Sequence, residues 1–497
     1  MIEQTNFYRI NGLNYLSLFV FTFILSLVFS PHAMSQDHSH AHVHEHTSDF
    51  ERQWLAGDHH IHSRYSVGWN DETDPPTLIL AGDAHYPIPM NAVMGRLYGL
   101  SWVVTTDHGG PNHSKVHLEM AYPELLISRK AVPDLVQFYG MEFDTPGADH
   151  STIIIPHTDD EAERLYEIES NFNSTEPYPA DSTWDTESRM LEALEAMNQF
   201  PEKPLVIVNH PSRTATGLGV YGKHTPEQLR NWSDAYPDIA VGMAGAPGHQ
   251  AATLNRNGKY PRGAYGFGNY PTIGGFDQMT ARLGGFWDSM LGEGRKWWIT
   301  ANSDSHIHWT EGHIDFWPGE YSKTYVFAHK NYEDILHGIR NGRVFVTLGD
   351  LISELYVTVS SSISEAEIGG AVEVQSGSSV EITIRFLDPD ALNAGDRNPS
   401  VKRVDLIVGE VTGPVMDRST DTNSTTRVEA RFSEDEWETE GEYQIITYLL
   451  ENVDSNSYIR IRGTNGDELE PEVDPIGEDP WSDLWFYSNP IFLEVTE

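Results

Sequence analysis

Between Trp54 and Leu348 the chain repeats one pattern: a short apolar, β-branched run that stops abruptly at ionisable residues, followed by loop or helix-like material. Seven such runs are present, Trp54–His62, Ser101–His108, Val136–Glu142, His150–Pro156, Pro204–His210, Ile239–Gly245 and Lys296–His306. Runs that are apolar without alternation need cover on both faces, which is how strands of a parallel sheet read. The stretches Asn91–Leu100, Glu187–Asn198, Thr225–Ala235 and Phe276–Leu291 are patterned as helices able to connect them. Repeated strand–helix order predicts an α/β fold closed into a barrel, with polar chemistry at the strand ends on one face.

Beyond Leu348 the period changes to two. Leu355–Val359, Val380–Phe386, Val401–Val408, Arg427–Phe432, Tyr443–Leu450, Ser457–Gly463 and Leu484–Val495 alternate between turns rich in Gly, Ser, Asn and Asp. Residues 349–497 are therefore expected to form an antiparallel β-sandwich. The acidic segment Asp467–Asp479 reads as solvated surface, with weakly bound calcium as the alternative.

The N-terminus has the layout of an export signal: Arg9, an apolar run from Leu16 to Phe29, then small residues at Ala33-Met34-Ser35. Residues 1–35 are read as cleaved, which places the mature chain in a periplasm or outside the cell with no stable membrane insertion. An uncleaved anchor is the alternative, although the run is shorter than the roughly 20 apolar residues a span needs. Residues 36–50 carry alternating imidazoles (His38, His40, His42, His44, His46) on a flexible tail. Such a tail can gather divalent cations loosely or act as a plain spacer.

Composition narrows the chemistry. The 497 residues include 74 Asp and Glu against 32 Lys and Arg, a formal charge of −42, and this field repels polyanions. Binding to long nucleic acid is accordingly not expected. With no Cys, thiolate nucleophiles and sulfur-ligated metals are excluded, which leaves His, Asp and Glu as strong metal ligands.

Those residues recur where the apolar runs stop. His60-Ile61-His62 puts two imidazoles on one side of an extended segment. Among 23 His in 497 residues a His-x-His arises roughly once by chance, so this pair alone says little. Thr106-Asp107-His108, Gly140-Met141-Glu142, Asp149-His150, Asn209-His210-Pro211 and Ser303-Asp304-Ser305-His306 repeat the arrangement at other run ends. Together they predict a multinuclear metal centre of imidazoles and carboxylates, suited to Zn, Mn or Fe. A bridging carboxylate such as Glu142 would let two cations share a water, generating hydroxide near neutral pH for hydrolysis.

In order and content these motifs resemble the PHP (polymerase and histidinol phosphatase) family of metal-dependent hydrolases, over about Asp58 to His308. The resemblance implies a distorted seven-stranded barrel over residues 51–348 that holds two or three divalent metal ions and usually cleaves phosphate esters. It implies His60, His62, Glu142 and Asp304 at a first metal, Glu142, His150 and His210 at a second, and His108 with His306 at a third. One departure stands out: the Asp or His the family often has near Val67-Gly68 is missing, with Asp71, Asp83 or His85 as substitutes. The export signal, the C-terminal β-domain and the segments at residues 244–250 and 480–490 resemble a secreted subgroup related to carbaryl hydrolase.

Candidate substrate groups follow from position. Arg213, three residues after His210, is placed to grip phosphate oxygens or to form a surface salt bridge. His249 is a candidate proton donor to the leaving group, or a loop cap, and Lys223 is a further cation. His59 and His308 flank ligands, and Trp297, Trp298 and Trp309 are read as core. The expected activity is hydrolysis of small phosphate esters; a carboxyl-ester or carbamate hydrolase, or a non-catalytic metal- or glycan-binding protein, are the alternatives.

Overall fold

The computed structural model describes residues 51–248, 272–308, 315–475 and 478–497. The expected export signal, the histidine-rich tail, His249 and Trp309 lie outside the described residues. All seven apolar runs contain strands, and these lie side by side in chain order. They are β1 (Gln53–Ile61) and, past a ribbon of β2 (Gly68–Asn70) and β3 (Thr77–Ile79), β4 (Trp102–Thr105), β5 (Val136–Asp144), β6 (His150–Ile155), β7 (Leu205–Val208), β8 (Ala240–Pro247) and β9 (Trp298–Asn302). Most of their residues are buried, as continuous apolar runs require.

The parallel expectation is corrected at β6. β1, β4 and β5 are parallel, and so are β7, β8 and β9, but β6 runs antiparallel to both β5 and β7. Only Thr145–Asp149 join β5 to β6, and a parallel crossover needs about a dozen residues. A hairpin is the sole option at that length.

The row of strands turns back on itself. Just past β9, Asp304 N donates to His60 O and His62 N to Ser305 O, both at 3.0 Å, so the chain after the last run meets the end of the first. Two strands absent from the sequence reading, β10 (Ser322–Ala328) and β11 (Val344–Leu348), continue the sheet antiparallel from the other side of β1. Side chains satisfy the outer edge of β9. Thr324 Oγ1 accepts from Ala301 N and donates to Ala301 O, while Asn489 accepts from Ile299 N and donates to Ile299 O. Paired in this way, a β-edge is closed to foreign strands.

Helix prediction held best where a cap was present. Glu187–Asn198 begins at Thr186, whose side chain accepts from Arg189 N, and Pro226–Ala235 begins with a capping box at Thr225 and Gln228. The expected helix over 276–291 is instead two short ones, Gln278–Ala281 and Phe286–Gly292. Gly284, at φ +68°, takes a conformation that breaks the helix.

Beyond Leu348 come β12 (Glu354–Ser360), β13 (Glu365–Glu367), β14 (Ala371–Gln375), β15 (Ser378–Leu387), β16 (Arg403–Glu410), β17 (Arg427–Ser433), β18 (Glu438–Glu440), β19 (Tyr443–Val453), β20 (Ser457–Thr464), β21 (Trp485–Ser488) and β22 (Ile491–Thr496). Five of them make an antiparallel sheet ordered β13-β12-β15-β19-β18, and in β12 buried and half-buried residues alternate. The others join the large sheet through β21, which pairs with β11. One pair departs from the antiparallel expectation: β14 and β22 are parallel, as residues so far apart in the chain are free to be. The whole is mixed α/β, with a large sheet in which antiparallel pairs predominate. Among the described residues no helix is long and apolar enough to cross a membrane.

A buried ion pair fastens β20 to the helix Phe286–Gly292. Arg460 Nε and Nη2 donate to the two Asp288 oxygens at 2.9 and 2.8 Å, and Tyr458 adds a hydrogen bond of 3.0 Å. Both charged side chains are 1% exposed, so each depends on the other for the solvation it has lost. Asp288→Ala should therefore lower the unfolding free energy by about 3–5 kcal/mol in urea titrations followed by tryptophan fluorescence. A loss below about 1 kcal/mol would show that the pair does not hold this junction.

Candidate metal centre

Strand alternation sorts the first histidines. His60 and His62 face one way, whereas His59 faces the other and meets Thr300 Oγ1 at 2.8 Å. Burial lowers the His59 pKa to about 3, which keeps its ring neutral. Asp58 clamps the backbone from below by accepting from His60 N at 3.0 Å and Ser303 N at 3.1 Å. Burial raises that carboxyl to about 7. His210 and Asp304, just past β7 and β9, have φ of +26° and +49°, uncommon for side-chain-bearing residues. Such strain persists only where surrounding contacts hold it, and it clusters at functional sites.

Glu142 is the centre of the arrangement. Its Oε1 lies 3.2 Å from His60 Nε2, 3.0 Å from His210 Nε2, 3.0 Å from His150 Nδ1 and 3.0 Å from the Asn209 amide. Its Oε2 lies 3.3 Å from His62 Nε2 and 3.1 Å from His108 Nδ1. Asp304 Oδ1 is 3.2 Å from both His60 Nε2 and His62 Nε2, which themselves approach to 2.9 Å. Burial works to raise the Glu142 pKa, but His150, His60 and His108 outweigh it and hold the carboxyl well below its ordinary value. The same charge keeps His150 up near 10 against its own burial.

Hydrogen bonding assigns the tautomer at His62. Ser66 Oγ has one hydrogen, and it goes to Asp107 Oδ1 at 3.2 Å; His62 Nδ1, 2.7 Å away, is therefore the donor to Ser66. In the neutral ring, Nε2 then presents a lone pair to Glu142 and Asp304. Lone pairs facing carboxylate oxygens at this range repel unless positive charge lies between them, and one oxygen with two lone pairs cannot take four N–H donors at once. The donor set fits divalent cations.

Ligand atoms converge in overlapping groups. One is His60, His62, Glu142 and Asp304, and a second is Glu142, His150 and His210. A third joins His62, His108 and His306 with Asp83, whose Oδ2 lies 3.3 Å from His306 Nε2 and 3.6 Å from His108 Nε2. Of the three acidic or imidazole groups named as substitutes, Asp83 is the one that joins a group of candidate ligands, although like Asp71 and His85 it is exposed.

Arg213 forms a bidentate pair with Asp149, at 3.0 and 2.9 Å, and Nη2 is 3.4 Å from His150 Nε2. The pair is mostly buried and stands at the rim of the histidine cluster. Lys223 is exposed, Trp297 and Trp298 are buried in the core, and His308 stacks on Trp317 and meets Glu320 Oε2 at 2.7 Å.

No model of a known protein family matches this sequence, and no curated protein does. Among solved structures, a chain of endonuclease Q in complex with a 27-mer duplex carrying an abasic lesion shares 13% identity over 59% of this chain and 56% of that one, with a TM-score of 0.29. This chain thus spans just over half the length of that protein. A chain from a structure of T cell activation by the superantigen toxic shock syndrome toxin-1 shares 13% identity over 29% of this chain and all of that one, at a TM-score of 0.16. Neither likeness bears on what this chain does.

The sequence reading missed two groups. Asp144 lies two residues after Glu142 on β5, meets His150 Nε2 at 3.4 Å and forms a cluster with His108 and His150; the period of two could have signalled it. Asp107, quoted only as part of a motif, accepts from Ser63 N, Ser63 Oγ and Ser66 Oγ, and so holds the loop that orients His62. Partners of this kind typically contribute 10–100-fold to metal affinity. Ser66→Ala should weaken zinc binding by about that factor in chelator competition, with an unchanged circular dichroism spectrum. Wild-type affinity in that variant would exclude the orienting role.

Proposed function

We propose that this chain is a metal-dependent hydrolase of small phosphate esters. In this reading it is a PHP-type enzyme with a distorted seven-stranded barrel followed by a β-sandwich, exported to a periplasm or secreted. The observation that carries the reading is the single buried Glu142 carboxylate, met by five imidazoles and flanked by Asp304. His60, His62, Glu142 and Asp304 would hold one cation, Glu142, His150 and His210 a second, and Asp83, His108 and His306 a third, with Zn, Mn or Fe suited to the donors. When bound, such cations acidify water and offset charge that develops on an ester oxygen.

The chain's own residues do the rest. Asp107 and Ser66 fix His62 so that Nε2 faces inward, and the Asp304 carbonyl fixes His306 Nδ1 at 2.9 Å, turning Nε2 to Asp83. Arg213, steadied by Asp149, sits beside His150 where a guanidinium can orient a phosphoryl group. His249 is assigned to protonating the leaving group on its sequence position two residues after β8. The charge of −42 favours small substrates over long polyanions.

One observation favours a second reading. Asp149 already neutralises Arg213, which suits a neutral carbonyl substrate, a carboxyl ester or carbamate, better than an isolated cation would. A panel of phosphomonoesters, phosphodiesters, aryl acetates and carbamates separates the two. Zinc- or manganese-loaded protein should turn over phosphate esters, Glu142→Ala or chelation should remove about 10³-fold or more, and Arg213→Ala about 10–100-fold. Loss in Glu142→Ala alone, on carbonyl esters only, would move the assignment to the second reading. Turnover of neither class would overturn both.

A further inference from the structure

We propose that His113, His117 and Glu169 form an additional divalent-cation site, for zinc in the first instance, that shares no residue with the Glu142 centre. The proposal does not depend on the hydrolase reading. His117 N donates to His113 O across one helical turn, so the two rings project from the same side, 4.5 Å apart and perpendicular. Each turns its Nδ1 to Glu169 on the helix Glu161–Phe172, His113 to Oε1 at 3.0 Å and His117 to Oε2 at 2.6 Å. All three side chains are at most 1% exposed.

The far nitrogen of His113 decides what can lie between. His113 Nε2 is 2.8 Å from Tyr65 O, and a carbonyl only accepts, so Nε2 carries the hydrogen. In the neutral ring Nδ1 is then a lone pair pointed at a carboxylate, so either a second proton or a metal cation lies in the gap. An N–H on a backbone carbonyl with the opposite nitrogen on the ion is how metal-binding imidazoles are commonly held. Two ligands of one zinc ion, each at 2.0–2.2 Å, stand about 3.3 Å apart, so small shifts from 2.6 and 3.0 Å admit the ion.

A proton on His113 is the competing occupant, paired directly with Glu169. Burial works to lower the His113 pKa, but the hydrogen bond and charge of Glu169 outweigh it and raise it, while burial raises the neighbouring Glu176 carboxyl to about 7. Asp107, Glu169 and Glu176 are all buried. An imidazolium brings one positive charge to the buried Glu169 carboxylate; a divalent cation brings two. Two imidazoles and a carboxylate without sulfur suit zinc.

The test uses the full chain with zinc chloride. Diffraction data from zinc-grown crystals, collected on either side of the zinc absorption edge, should show an anomalous peak within bonding distance of His113 Nδ1, His117 Nδ1 and Glu169. Zinc counted by mass spectrometry after gel filtration should fall by one equivalent per chain in Glu169→Gln and in His117→Asn. Density on the His60–Asp304 cluster should remain in both. No peak between these residues in the wild type, with His113 still in direct contact with Glu169, would overturn the proposal, and so would folded Glu169→Gln holding the wild-type zinc content. If Glu169→Gln does not fold, His117→Asn and the wild-type map decide by the same criteria.

Discussion

The arrangement depends on the electrostatics of one buried carboxylate. Glu142 sits at the end of β5 with imidazole nitrogens within 3.3 Å on both of its oxygens, and none of those rings is placed there by local sequence. They arrive from β1, from the ends of β4 and β7, and from the start of β6. A row of strands that shares a common set of ends brings these groups to one place. The backbone bonds between Asp304 and His60 and between Ser305 and His62 return the last run to the first. Without that return, Asp304 and His306 would lie at the far edge of the sheet from His60 and His62.

Around this point the protein spends polar groups on orientation. Asp58 holds the backbone of His60 and Ser303, Asp107 and Ser66 hold His62, and Asp149 holds Arg213 beside His150. Each is a buried or half-buried carboxylate or hydroxyl whose hydrogen bonds remove a rotational freedom from a neighbour that faces inward. Such positioning matters for a site that must present lone pairs, because an imidazole turned by half a ring offers a proton instead. The same logic at His113 and Tyr65, one loop away, makes the separate His113–His117–Glu169 group intelligible as a cation site and not merely as packed histidines.

The edges of the strand row show a related economy. β9 has β8 on one side, and side chains of Thr324 and Asn489 complete its other side. Asn489 belongs to the junction between β21 and β22, where Pro490 lacks an N–H and the expected single strand over 484–495 divides. The C-terminal strands therefore meet the rest of the fold through hydrogen bonds as well as apolar packing, with Asn489 on β9, β21 on β11 and Arg460 on Asp288.

Much of this was legible from residue order alone. The seven apolar runs, the helix Glu187–Asn198 to the residue, and the recurrence of ionisable groups at the ends of the runs follow from periodicity and its limits, because burial on both faces restricts residue type locally; the set of eight candidate ligands came from the resemblance of those motifs to the PHP family. Asp83 and the His113–His117–Glu169 group carry no such local mark, whereas Asp144, two residues after Glu142 on the same strand, carried one that went unread. Asp83 comes from an insertion, Glu169 from the middle of a helix, and the direction of β6 from the shortness of the link before it. Residue types determined which groups could serve; the tertiary structure alone decided which of them meet, because contact between residues far apart in the chain depends on strand direction, register and the return of the sheet upon itself.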